Sequence, residues 1–315
     1  FAGDRTVQTP NFDRLAREGV YFNHAFCPVP SCSPTRATML AGRYAHQLGA
    51  AASLWSSLPA EYPLLTDVLR RAGYDTAYCG KAWGPGNYVV TGWKENPVGH
   101  RYADFGSFLE QTPRDRPFFF WVGNLDTAIG QWDYSPAGAA GLDPASVKVP
   151  KHLPDTPEIR AGLLAYYNGV RRFDRVVGQA IAALEKHGLL DNTIVICGSD
   201  NGWQIPRGLA NCYDDGTKVP LVFWGRGLAG GRRVDSFVNL SELAPTVLDL
   251  AGIPVPASMS CPSFARLLQH PSELVERDAV FLERERHANV RVGDLGYPIR
   301  GIRTRDFLLL LNLRP

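Results

Sequence analysis

Strand-length apolar runs alternate with amphipathic helical stretches along this chain, and that alternation leaves few folds open. Residues 118–122 read Phe-Phe-Phe-Trp-Val, and residues 193–197 and 219–224 are nearly as apolar. A strand with so little polar alternation belongs in a sheet covered on both faces. Between such runs come helix signals. Thr9 and Pro10 stand ahead of Phe12, Leu15 and Ala16, and Gly19 closes the stretch. A capping hydroxyl, a proline suited to the first turn and a glycine stop mark a helix. Residues 35–40, 64–72, 157–187 and 243–251 read the same way, closed by Gly42, Gly73, Gly188 and Gly252, while 20–22 and 76–79 read as strands. The pattern predicts an α/β fold, a mostly parallel sheet sandwiched by helices. Ligands of such sheets bind beyond the carboxyl ends of strands, so chemistry is expected in the loops after Cys79, Val122 and Cys197.

Charge excludes some partners. Lys plus Arg is 33 and Asp plus Glu is 31 in 315 residues, a net charge of +2. That balance argues against nucleic acid or an anionic membrane as the main partner. No apolar run reaches the length of a membrane span. No signal peptide is visible, and the first residue is Phe1 rather than Met. A homo-oligomer is left open. None of the six cysteines forms a C-x-x-C zinc spacing. Cys79 and Cys197 close apolar strands and read as core residues.

Cys32-Ser33-Pro34-Thr35-Arg36 is the segment that carries chemistry. Pro34 suits the first turn of the following helix, which places Cys32 near a helix N-terminus, where free N–H groups favour anions. Arg36 lies one turn on and can present a planar fork to the same point.

With Ala37-Thr38-Met39-Leu40-Ala41-Gly42-Arg43, this segment resembles the signature of the formylglycine-dependent sulfatases, C-[ST]-P-[ST]-R followed by A-x-x-L-x-G-R. Other segments resemble the family in the family's order. These are residues 9–16 and 22–26, Gly80-Lys81 after a strand, Ser199-Asp200-Asn201-Gly202, and Gly216-Thr217-Lys218-Val219-Pro220. Pro154-Asp155-Thr156-Pro157, Arg172-Phe173-Asp174, Trp83-Gly84-Pro85-Gly86 and residues 293–300 resemble its heparan N-sulfatase (sulfamidase) members.

The resemblance implies an alkaline-phosphatase/sulfatase-like domain over residues 1–255, with its first strand missing upstream. Residues 256–315 then begin a smaller C-terminal region completing the substrate rim. It implies hydrolysis of sulfate esters or N-sulfate groups of glycosaminoglycans, with N-sulfoglucosamine of heparan-type glycans foremost. A maturation enzyme would oxidise Cys32 to formylglycine, whose hydrate attacks sulfur. Arg36 and Lys81 would neutralise charge, and one calcium ion would sit on Asp200 and Asn201. Asp126 and Arg207 would meet substrate. An exported location, periplasmic, extracellular or lysosome-like, is also implied.

The chain departs from the pattern at three places. The family's aspartate pair would precede the Thr9 helix and is not in the sequence; Asp4 is a lone loop carboxylate. Ala128 stands where the sulfamidase-like pattern has histidine. Leu209 stands where it has a lysine or arginine, with Arg207 two residues away. A catalytically impaired sulfatase-like glycan binder, or a phosphate or phosphonate ester hydrolase of the same superfamily, is therefore an alternative. The histidines carry no assigned role; His24 reads as packing. Residues 283–291 read as a solvated, mixed-charge segment near the rim.

Overall fold

The computed structural model describes residues 3–113, 115–271 and 277–314. In chain order its helices and strands are α1 (Pro10–Glu18), β1 (Val20–Phe22), β2 (Ala25–Phe26), α2 (Cys32–Ala41), α3 (Leu65–Arg71), β3 (Asp75–Gly80), β4 (His100–Arg101), α4 (Phe105–Gln111), β5 (Phe118–Gly123), α5 (Pro157–Lys186), β6 (Val195–Gly198), α6 (Asp214–Thr217), β7 (Leu221–Trp224), β8 (Arg232–Val234), β9 (Val238–Asn239), α7 (Leu243–Leu250), α8 (Ala265–Gln269), β10 (Ala279–Arg284), β11 (Ile299–Thr304) and β12 (Leu308–Asn312).

The α/β class is as expected. β3 lies between β4 and β5, parallel to both, with Gly80 opposite Gly123. A second ladder runs β6-β7-β1-β8, and its pairing is mixed. β7 is antiparallel to β6 and to β1, whereas β1 and β8 are parallel. Period-two alternation divides the side chains of β1 between two faces. Val20 and Phe22 join Phe223 and Phe264, and the rings of Phe22 and Phe264 meet edge-on at 5.3 Å. Tyr21 points the other way, onto Leu15 of α1 and Val177 and Ile181 of α5. The long helix and α1 thus cover one face, while α7 and α8 cover the other. Cys79 and Cys197 are buried thiols, and His24 stacks on Phe237 at 4.4 Å.

Among the described residues, β5 pairs only with β3, and β6 only with β7. Their other edges line one cavity of about 1660 Å³, walled by Phe173 and Val177 of α5 and by Leu243 and Val247 of α7. The apolar run of β5 is for this reason only half-buried, from Phe118 to Val122. The carboxyl ends of both strands line this cavity, as do Arg36, Asn124, Asp200 and Asn201.

Two expectations need correction. The helix expected over 35–40 begins at Cys32. The first four N–H groups of a helix have no intrahelical partner, so Pro34 loses nothing by sitting in the first turn. Residues 283–291 are anchored rather than freely solvated. The Glu283 carboxylate is 3% exposed and accepts from the Ala45 N–H at 2.5 Å and the His46 N–H at 3.2 Å. A buried carboxylate needs such donors to offset its lost hydration. With Val280 and Leu282 packed on Phe26 and Phe237, this ties the β10–β12 sheet to the segments flanking α2.

Candidate active site

The loop before Cys32 is built so that its carbonyls find donors mostly outside it. Pro28 and Pro30 have no N–H. The Pro28 carbonyl accepts from the Glu283 N–H at 2.8 Å, and the Pro30 carbonyl from the Ala210 N–H at 2.7 Å. The Val29 carbonyl takes the Ser31 N–H at 2.7 Å and the Thr35 hydroxyl. The Cys27 N–H donates to the Thr217 carbonyl at 2.8 Å. Segments from both halves of the chain therefore clamp residues 27–31, and Cys32 inherits a fixed position.

Cys32 is the first residue of α2. Ser31, the cap, makes no side-chain bond to the helix, and the first turn holds no acidic side chain. The N-terminal N–H groups and the positive end of the dipole are thus left for an external anion. Burial pushes the Cys32 thiol above its ordinary value, and Asp200 adds to the effect; Lys81 and Arg36 oppose it. A thiol so placed stays protonated at neutral pH, so thiolate chemistry of the usual kind is disfavoured.

Arg36 is 6% exposed. Its Nε donates to Asp200 Oδ2 at 2.7 Å, and its Nη1 to the Lys81 and Ala82 carbonyls at 2.7 and 2.5 Å. One side chain thereby joins α2 to the loops after β3 and β6. Lys81 is turned toward Cys32 by a close backbone approach. Gly80 has φ +67°, and a Cβ on Gly123 would lie 1.6 Å from the Lys81 carbonyl oxygen. Only glycine fits there, and the Lys81 N–H then reaches the Gly123 carbonyl at 2.8 Å.

Asp200 and Asn201 follow β6. Asn201 is buried, its Nδ2 donates to the Gly202 carbonyl at 2.8 Å, and its Oδ1 is buried without a partner. An orphaned carbonyl oxygen beside a carboxylate is the hard-oxygen chemistry a calcium ion takes. The described residues contain no cluster of three or more His, Cys, Asp or Glu side chains of metal-binding geometry. Asp200 and Asn201 fit the ion in kind and would hold it from one side.

The remaining expected residues are more dispersed. Asp126 follows β5 and accepts from Arg172 of α5 at 2.9 Å, so its carboxylate already has a cation. Arg207 is exposed with φ +67°, and its guanidinium lies 4.5 Å over the Tyr213 ring. That is not a strand repeat on from Leu209 but a tight turn, in which the Leu209 N–H closes on the Trp203 carbonyl. Ala128 lies in a turn against the Leu125 carbonyl, with the next N–H held by Gln204. A histidine that sequence reasoning left unassigned enters instead. His287 Nδ1 and Ser31 Oγ share a hydrogen bond at 2.9 Å, one residue from Cys32. The separation of 256 positions leaves no local signal for this contact.

A family model described as Sulfatase matches residues 1–253, and one described as N-sulphoglucosamine sulphohydrolase, C-terminal, matches residues 208–313. The chain is 31% identical to human N-sulphoglucosamine sulphohydrolase, covering 98% of this chain and 69% of that protein. It is 26% identical to an ulvan-active sulfatase of Formosa agariphila, over 98% of this chain and 68% of that protein. Among solved structures, one from the glycosaminoglycan-metabolism locus of Bacteroides thetaiotaomicron superposes with a TM-score of 0.80 at 23% identity, covering all of this chain and 81% of the other. A phosphonate monoester hydrolase of Silicibacter pomeroyi superposes with a TM-score of 0.70 at 17% identity, over 98% of this chain and 82% of the other. These two show the fold.

Proposed function

Because the chain belongs to the sulfatase family, we propose that it hydrolyses N-sulfate or sulfate ester groups of glycosaminoglycans through a formylglycine made from Cys32. N-sulfoglucosamine of heparan-type glycans is the foremost substrate, in keeping with the match of residues 208–313 and the human relative. The observation that carries this reading is the convergence at Cys32. The uncapped N-terminus of α2 begins at Cys32, the Lys81 ammonium bonds toward its thiol, and the Arg36 guanidinium adds positive charge from behind.

The chain's own residues divide the work as follows. The helix N-terminus and Lys81 receive the sulfate oxygens and hold charge that grows as the S–N or S–O bond breaks. Arg36 keeps Asp200 and the Lys81 backbone in register and contributes its charge from behind. Asp200 and the Asn201 carbonyl oxygen would hold a calcium ion, which when bound polarises the sulfuryl group. The formylglycine supplies the attacking oxygen that a protonated thiol lacks. Arg207, exposed over Tyr213, and Asp126, held by Arg172, take the sugar rather than the sulfate. Residues 1–255 form the catalytic unit and 256–315 its rim. A formylglycine-generating enzyme is the required maturation partner, and an exported location follows the family. Among the described residues no helix is long and apolar enough to cross a membrane.

Ala128 and Leu209 favour a second reading, a glycan-binding homologue with impaired turnover, since neither side chain can carry a proton or a charge. Protein made in a host with the maturation enzyme separates the readings. Sulfate release from N-sulfoglucosamine, faster than phosphate release from an aryl phosphate, supports the hydrolase. Binding of sulfated oligosaccharide with no sulfate release supports the impaired homologue and contradicts the leading reading.

A further inference from the structure

Trp55 occupies a position that backbone energetics would give to glycine. It has φ +58° in the turn 53–56. A left-handed conformation is unfavourable for a non-glycine residue, and bulky residues there are outliers. The side chain gains no burial in return, because Trp55 is 71% exposed. A strained backbone that presents a large aromatic ring to solvent points to use by a ligand rather than to packing.

The turn is not loose. On one side Ser53 bridges Arg286, and the Leu54 N–H donates to the Arg286 carbonyl at 3.3 Å. On the other side Ser56 bridges Gly86, and the Asn87 N–H donates to the Ser56 carbonyl at 2.8 Å. Gly86 admits this approach, since a Cβ there would lie 2.5 Å from the Ser56 carbonyl oxygen. The indole is therefore held on a fixed stem. That stem is also tied to the active-site loop, because Arg286 precedes His287, which bonds Ser31 beside Cys32.

The neighbouring charge narrows the ligand. Arg286 reaches the Asp294 carbonyl with Nη1 at 3.1 Å, and its Nε is buried without a partner. Arg291 follows on the same loop, its guanidinium 5.4 Å over the Tyr297 ring. An exposed indole on a turn whose backbone pairs with the arginine-bearing segment suits a ring with an apolar C–H face and anionic substituents. Tryptophan supplies rigid amphipathic area, and arginine forks match sulfate and carboxylate.

We infer that Trp55 is a stacking platform for the sugar adjoining the one whose sulfate meets Cys32, with Arg286 and Arg291 facing that sugar's anionic groups. The inference rests on the glycan reading of the site. It assigns Trp55 to substrate length and affinity, not to the chemical step.

Trp55→Gly is the direct variant, because glycine relieves the left-handed strain while removing the ring. Its thermal midpoint should equal or exceed the parent's, which excludes misfolding as a cause of lost binding. Calorimetric titration of the purified chain with a heparan-type tetrasaccharide should give a Kd about tenfold weaker in the variant. The Kd for monomeric N-sulfoglucosamine should be unchanged. Equal tetrasaccharide affinity in parent and variant overturns the platform, as does equal loss for monomer and tetramer. A changed sedimentation coefficient of the ligand-free variant also overturns it, since the ring would then serve a protein contact. If the parent binds neither sugar, the glycan reading itself falls and the platform with it.

Discussion

Arg36 and Asp200, 164 positions apart, meet at 2.7 Å with side chains 7% and 18% exposed. This pair joins the helix that begins at Cys32 to the loop after β6. The same guanidinium also takes two carbonyls of the loop after β3. Two of the three loops expected from sequence to hold the chemistry are thus fixed to the Cys32 helix by a single planar group. A lysine, with one compact charge, cannot make that set of bonds.

Arg36→Lys should therefore damage structure and function together. Breaking a buried ion pair by removing one partner costs about 3–5 kcal/mol, and a lysine recovers only part of that. The urea midpoint should fall clearly, and kcat by about 10²–10³-fold. Equilibrium denaturation and sulfate-release kinetics check both effects. An unchanged midpoint would show that the pair is not what holds the loops.

Asn201→Ala tests the cation site without touching Arg36. The orphaned Oδ1 of Asn201 loses no bond and its Nδ2 loses only the local one to the Gly202 carbonyl, so the ion-free midpoint should fall by no more than one hydrogen bond accounts for. Calcium should raise the thermal midpoint of the parent and do so much less in the variant, because a ligand bound to the folded state alone stabilises it by mass action. Chelation should abolish sulfate release. Equal calcium shifts in both proteins would contradict the assignment.

His287 should make the fold acid-sensitive. Burial first, and Arg284 next, hold its imidazole below the ordinary range in the folded chain. The unfolded chain then binds a proton at higher pH than the folded one, so stability rises with pH across that interval. The contribution is complete above the ordinary histidine value and is lost as pH falls below it. His24 shifts in the same direction, with burial its largest cause, so His287→Gln should remove only part of the effect. Urea midpoints measured from about pH 8 to pH 5 should fall less steeply in the variant. Parallel curves would contradict the argument.

Much of this was legible in sequence because it is local. The alternation of residues 118–122 and 219–224 with capped helices implied the α/β layers. The spacing from Cys32 to Arg36 placed both at one helix start, and Gly80-Lys81 and Asp200-Asn201 fell at strand ends. What sequence did not show is long-range. Nothing near residue 287 signals Ser31, and nothing near Glu283 signals the amides of Ala45 and His46. Arg36 read as a substrate-facing fork, yet its Nε and Nη1 are committed to Asp200, Lys81 and Ala82, acceptors that spacing alone does not reveal. The mixed pairing of β7 was also hidden, since an apolar run of four residues has no direction.

Ala128 and Leu209 are the positions where catalysis should be improvable. Ala128 sits in the turn whose next amide is held by Gln204, beyond the Asp200 loop. Ala128→His would add a titratable group there, and a positioned general acid is worth about 10²–10⁴-fold. The pair Ala128→His and Leu209→Lys should raise kcat on an N-sulfated substrate without raising affinity for the tetrasaccharide. No change in kcat would show that the parent already has its proton donor elsewhere.

The chemical state of Cys32 decides most directly whether this chain hydrolyses sulfate as proposed. Mass spectrometry of the tryptic peptide that carries it, from protein made alongside a formylglycine-generating enzyme, measures that state. The expected mass is that of an aldehyde in place of the thiol, with a further shift on treatment with a carbonyl-specific hydrazide. A peptide carrying the unmodified thiol throughout, in protein that nevertheless releases sulfate, would contradict it.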